Sequence, residues 1–147
     1  MEEMIVKVPP ADLPKGKDVV VVPRGIATTT AGRYQLGVQA SDSLPAGQDL
    51  VAVIRSEELS SPDQITVTSH EQAGEKFKVV LRHLRYTGAL AANVVTVALL
   101  EIELGSLSAG TYQVEVTTNV FTFGDINRPQ DTAPSGTKLQ TASFTVV

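Results

Sequence analysis

The chain contains neither cysteine nor tryptophan, and only two histidines. Lacking cysteine, it has no disulfide framework, no thiolate metal site and no cysteine nucleophile. Aromatic residues make up 5% of it, too few for the exposed stacking platforms that bind sugars or nucleic-acid bases. Its 12 Lys and Arg are outnumbered by 16 Asp and Glu, giving a formal charge of −4. That balance supplies no basic footprint for a phosphate backbone, so nucleic acid is not expected as a partner. The longest apolar run, Val94 to Leu100, is interrupted by Thr96 and stops at Glu101. It falls far short of the roughly 20 residues of a spanning helix, and no membrane span is expected. The start, Met1-Glu2-Glu3-Met4, lacks the cationic and apolar regions of a secretory signal. Either a cytosolic start or a chain trimmed after a signal fits it.

What the chain does have is β-branched and apolar residues in short, regularly spaced groups. With 42% apolar and 19% charged residues over 147 positions, it has the composition of one packed domain that buries roughly two-thirds of its unfolded surface. Residues 1–17 carry Pro9, Pro10, Pro14 and Gly16 around one apolar run, Met4 to Val8, and read as an irregular arm with an edge strand. From 18 to 147, β-rich segments alternate with Gly, Pro, Ser and Asp clusters at the spacing of a sandwich. Val19 to Val22 is a continuous apolar run ended by Pro23, as in a strand buried on both faces or crossing between sheets.

Elsewhere the period is two, the mark of strands with one face in a core. Arg33 to Ala40 alternates with Tyr34, Leu36, Val38 and Ala40 on one face. Similar stripes are Leu50, Ala52 and Ile54; Ile65 and Val67; Phe77, Val79 and Leu81; Leu100, Ile102 and Leu104; Tyr112, Val114 and Val116; and Ala142, Phe144 and Val146. Phe121 and Phe123 fall out of phase with Val114 and Val116, so a bulge is expected at Thr117 to Asn119. Helical period is absent apart from a single turn near Glu57 to Ser60. The expected fold is all-β: one antiparallel sandwich of about seven to nine strands with little helix.

Leu44-Pro45-Ala46-Gly47 echoes Leu107-Ser108-Ala109-Gly110, but the flanking residues differ, which favours two independent turns over a tandem repeat. The second turn continues into Thr111-Tyr112-Gln113-Val114-Glu115-Val116. Leu107 to Val116 resembles the corner between strands E and F of fibronectin type III and related immunoglobulin-like domains. The resemblance implies an immunoglobulin-like sandwich in which the Tyr112 phenol bonds a backbone group a few residues upstream, between Leu104 and Gly110. It also implies that Val94 to Leu104, Tyr112 to Phe123 and Lys138 to Val147 are strands E, F and G, with Arg33 to Ala40 as strand B. Antibody domains differ in carrying two cysteines and a core tryptophan.

Catalysis calls for a nucleophile, a base and an orienting group. His70 falls in a polar stretch, Ser69 to Gly74, that reads as a solvated turn, and His83 lies within an apolar and basic strand where a packed or a surface histidine is a simpler account than a catalytic one. Hydrolase, phosphate-loop and dinucleotide motifs are absent. No catalytic residue, cofactor or metal ligand is assigned. Asp125, Asn127 and Asp131 offer oxygen donors of the calcium type, although Asp and Asn serve equally as turn residues. Lys76, Lys78 and Arg82, with Arg85 nearby, read as cations that blunt an exposed strand edge, with Glu101 and Glu103 as complementary charges across a strand pair.

The expected function is therefore a non-enzymatic binding module, an accessory domain of an extracytoplasmic protein, that presents loops to a protein partner. The cysteine-free, Val- and Thr-rich composition motivates the compartment. The connection from Gly124 to Thr137 is longer than a hairpin loop needs, and Asp125, Asn127, Arg128 and Asp131 are its candidate contact residues. A self-associating assembly subunit with pairing edge strands is the alternative. A hydrolase whose site only the fold assembles ranks below both.

Overall fold

The computed structural model describes residues 3–8, 18–24, 27–30, 33–36, 43–60, 63–86, 95–123 and 135–147. Among these there is no helix, and so none long and apolar enough to cross a membrane. The strands are β1 (Glu3–Val8), β2 (Val19–Pro23), β3 (Ala27–Thr30), β4 (Arg33–Leu36), β5 (Ser43–Leu44), β6 (Asp49–Arg55), β7 (Leu59–Ser60), β8 (Gln64–Ala73), β9 (Lys76–Tyr86), β10 (Val95–Ser106), β11 (Gly110–Phe123) and β12 (Gly136–Val146). One sheet runs β1-β10-β6-β2, with β7 joined to β10; the other runs β5-β12-β11-β9-β8; β3 and β4 pair as a separate ribbon. Eight strands have five or more residues, four in each large sheet, which is the all-β sandwich that the spacing predicts.

The core lies between the two large sheets. Val19, Val21, Leu50, Ala52, Ile54, Ala98, Leu100, Ile102 and Leu104 meet Ile65, Phe77, Val79, Leu81, Tyr112, Val114, Val116, Phe144 and Val146 in one buried cluster. The alternate residues of the first sheet, Val20, Val22, Val51, Val53, Val97 and Leu99, are outside that cluster yet also buried. This sheet is thus covered on both faces, which explains why β2 and β6 read as continuous apolar runs. The second sheet is different. Its β9 alternates buried residues with half-buried or exposed ones, whereas β8 buries only Ile65 and β12 only Phe144 and Val146, so one face is core and the other meets water.

Several expectations fail. The sandwich is not purely antiparallel: β11 pairs with β9 in parallel over Gln113↔Lys76 to Phe123↔Tyr86, and β12 pairs with β5 in parallel. Thr117 to Asn119 holds no bulge, because β11 keeps unbroken register with both β12 and β9. Phe121 is out of phase because it faces the outer side, where the Arg82 guanidinium lies 4.9 Å from its ring centre. Register shifts occur instead between Val67 and Ser69 and between Glu103 and Gly105. Arg33–Leu36 pairs with β3 and with neither large sheet; residues 37–40 lie outside the described residues. Leu59–Ser60 is no helical turn but a short strand on β10.

The charged residues also settle differently. β9 is an interior strand between β11 and β8, so Lys76, Lys78 and Arg82 guard no edge. Lys76 pairs with Glu115 at 3.2 Å, while Lys78 lies opposite both Glu71 and Glu115 in the register. Glu101 and Glu103 belong to the other sheet, where Glu103 takes the Arg24 guanidinium. The resulting pairs are partly exposed, worth about 0–1 kcal/mol each.

Candidate functional site

Of the residues singled out in the sequence, Asp125, Asn127, Arg128 and Asp131 lie outside the described residues, as do 124–134 as a whole. The strands fix where that connection starts and ends: β11 and β12 pair up to Val120↔Gly136, and Ser135 donates to Val120 O through both its backbone N and its hydroxyl. Among the described residues, no group of three or more His, Asp or Glu is placed to hold a metal ion.

Tyr112 sits where the corner resemblance implies. Its hydroxyl donates to Ser108 O at 2.8 Å, within the expected segment. Its ring stacks on Phe144 at 5.5 Å between centroids and meets Phe77 at 6.2 Å. A tyrosine suits this position because its apolar body fills the core while its tip reaches the loop that enters β11.

Among the described strands, the outer side of the second sheet carries half-buried and exposed residues. Its rows, read from the register across β12, β11, β9 and β8, include Thr141-Glu115-Lys78-Glu71 and Leu139-Thr117-Val80-Ser69. Leu139 is 61% exposed, although Leu is ordinarily a core residue. Thr and Ser on this face form a shallow hydroxyl-bearing surface with opposite charges interspersed, and it continues to the Arg82–Phe121 pair near the β11–β12 connection.

A second polar group is buried. Asp63 and His83 are each 3% exposed, with His83 Nε2 3.4 Å from Asp63 Oδ2, while Asp63 Oδ1 accepts from Tyr86 N at 2.8 Å. Asp63 thereby ties the start of β8 to the end of β9. The packed reading of His83 holds, and the period of β9 carries its signal: His83 follows Phe77, Val79 and Leu81 on the inward face. Asp63 was missed, since Ser60-Ser61-Pro62-Asp63 reads only as a turn. Ser56 was missed as well; its hydroxyl accepts from Ala98 N and donates to Glu57 O, both at 2.8 Å. It completes the β6–β10 ladder and is committed to backbone. His70 lies within β8, not in a turn; the turn is Gly74-Glu75. The chain matches no protein-family model, no curated protein and no solved structure.

Proposed function

We propose that the chain is a non-enzymatic interaction module, an accessory domain of an extracytoplasmic protein, which meets a protein partner on the outer face of the β12-β11-β9-β8 sheet and on the connection from 124 to 134. The observation that carries this reading is Leu139, 61% exposed on the outer face of its sheet, whereas the alternate residues of the other sheet are buried on both sides among the described residues. An exposed apolar residue ringed by Thr and Ser suits the core of a modest, polar-rimmed contact. Self-association is the second reading, favoured by β8, a ten-residue strand at the edge of its sheet among the described strands, the kind of strand that can pair with another copy.

A photocrosslinking residue placed at position 139, at position 128 or in β8, and activated in the protein's own cells, separates these cases. A discrete heterologous adduct from 139 or 128 supports the module. A homodimer adduct from β8, matched by a dimer in sedimentation, replaces it with the assembly reading. No discrete adduct from any position sinks both.

A further inference from the structure

Lys76, Lys78 and Arg82 share the outer face of the second sheet on β9, and their charges are met differently. Lys76 pairs with Glu115 at 3.2 Å. Lys78 stands between Glu71 and Glu115 in the register. Arg82 stands between Thr66 and Asn119, with Val80 and Leu84 next on the same side of β9, and none of these is charged. Glu71 and Glu115 are level with Lys78, four residues back along β9 and so about 13 Å from Arg82. Arg82 is exposed and makes no ion pair with a described residue. Its guanidinium lies instead over the Phe121 ring, 4.9 Å from the centroid.

A guanidinium donates within its own plane, so a ring against its face takes up no donor and steadies the fork. Beside it on β11, Asn119 Oδ1 accepts from Thr137 Oγ1 at 3.1 Å, a bond that uses neither N–H of Nδ2. Leu139 is two strands across from Arg82 and two residues along, a separation of about 12 Å. We propose that the protein segment meeting this face carries an Asp or Glu carboxylate that docks on Arg82 and Asn119, and an apolar side chain about 12 Å away that covers Leu139. The proposal rests on the sheet-face reading and gives that surface its chemistry. An Arg–carboxylate pair is strong and geometrically specific. A basic segment would meet a cation that no carboxylate offsets, and an uncharged one would strip water from the guanidinium without returning an acceptor of matching charge.

The test is photocrosslinking from position 139 in the protein's own cells, with Arg82 varied in the same chain. Arg82→Gln should lower the heterologous adduct about tenfold, the weight of one hydrogen bond to a charged group. Lys78→Gln removes a charge that Glu71 and Glu115 already offset, and should leave the adduct within about twofold, as for an exposed ion pair. The crosslinked partner segment, read by mass spectrometry, should contain Asp or Glu. Changing that acid to Lys in the partner should restore the adduct with Arg82→Glu, which also shows that the variant folds. An adduct undiminished in Arg82→Gln, or lowered equally by Lys78→Gln, or a charge exchange that restores nothing, overturns the carboxylate contact and leaves the sheet-face reading in place. No heterologous adduct from 139 with Arg82 intact, or only one to a second copy, removes both.

Discussion

Tyr112 closes onto Ser108: its hydroxyl donates to the Ser108 carbonyl at 2.8 Å across the turn that feeds β11. The residue has two separable roles, since its ring also stacks on Phe144. Tyr112→Phe retains the ring and removes one net hydrogen bond, so it should lose about 1 kcal/mol. Tyr112→Ala removes the packing too and should lose about 3–5 kcal/mol. Urea midpoints measure both; equal losses would mean that the hydroxyl, not the ring, dominates, contrary to this account.

Asp63 serves two donors with one buried carboxylate, His83 Nε2 and Tyr86 N. Asp63→Ala leaves both without an acceptor and should cost about 3 kcal/mol or more. Asp63→Asn keeps a carbonyl oxygen for Tyr86 N and should cost less. Amide exchange at Tyr86 provides the local readout: it should accelerate in Asp63→Ala by far more than in Asp63→Asn.

Gly105 has φ of +78° at the register shift in β10, where Gly105 stands opposite Leu50 after Glu103 stands opposite Val51. A side chain in this left-handed conformation costs about 1–2 kcal/mol. No steric neighbour adds to that, because a Cβ there meets nothing within 4 Å. Gly105→Ala should therefore destabilise by the backbone term alone, with Gly105→Asn milder since Asn tolerates the conformation better. Thermal unfolding of the two variants decides it; a neutral Gly105→Ala would remove the bulge argument.

How much of this was legible in the sequence depends on the range of the interaction. Val19 to Val22 announces its burial on both faces because a sheet covered twice needs no polar side. Tyr112 and Ser108 are four residues apart, and local spacing suffices to connect them. The direction of β9 beside β11 was illegible, since a period of two places Phe77, Val79 and Leu81 on one face whichever way the neighbour runs. Arg33–Leu36 alternates as cleanly as any core strand, yet its partner is β3; alternation names a face and not a partner. Phe121 misled for a related reason: the assumption that every Phe faces the core demanded a bulge, whereas Arg82 covers its ring on the outer side. Asp63 and His83 are 20 positions apart, and only the pairing of β8 with β9 brings them together.

The parallel pairing of β9 and β11 lends itself to a covalent test, because a chain without cysteine admits a single engineered pair. Lys76 and Gln113 are Cα partners in the parallel register. Adjacent strands lie close enough for a disulfide, which tolerates Cα separations of about 4.4–6.8 Å. Lys76→Cys with Gln113→Cys should crosslink under mild oxidation in the folded protein. If the strands instead ran antiparallel about Val80 and Thr117, Lys76 would face Phe121. In the parallel arrangement Lys76 and Phe121 are eight positions apart along the sheet, roughly 26 Å, so Lys76→Cys with Phe121→Cys should remain reduced. The loss of the Lys76–Glu115 ion pair, 42% and 25% exposed, is common to both variants and too small to unfold either. Non-reducing electrophoresis after oxidation reads the result, and a crosslink in the second variant with none in the first would reverse the strand direction assigned here.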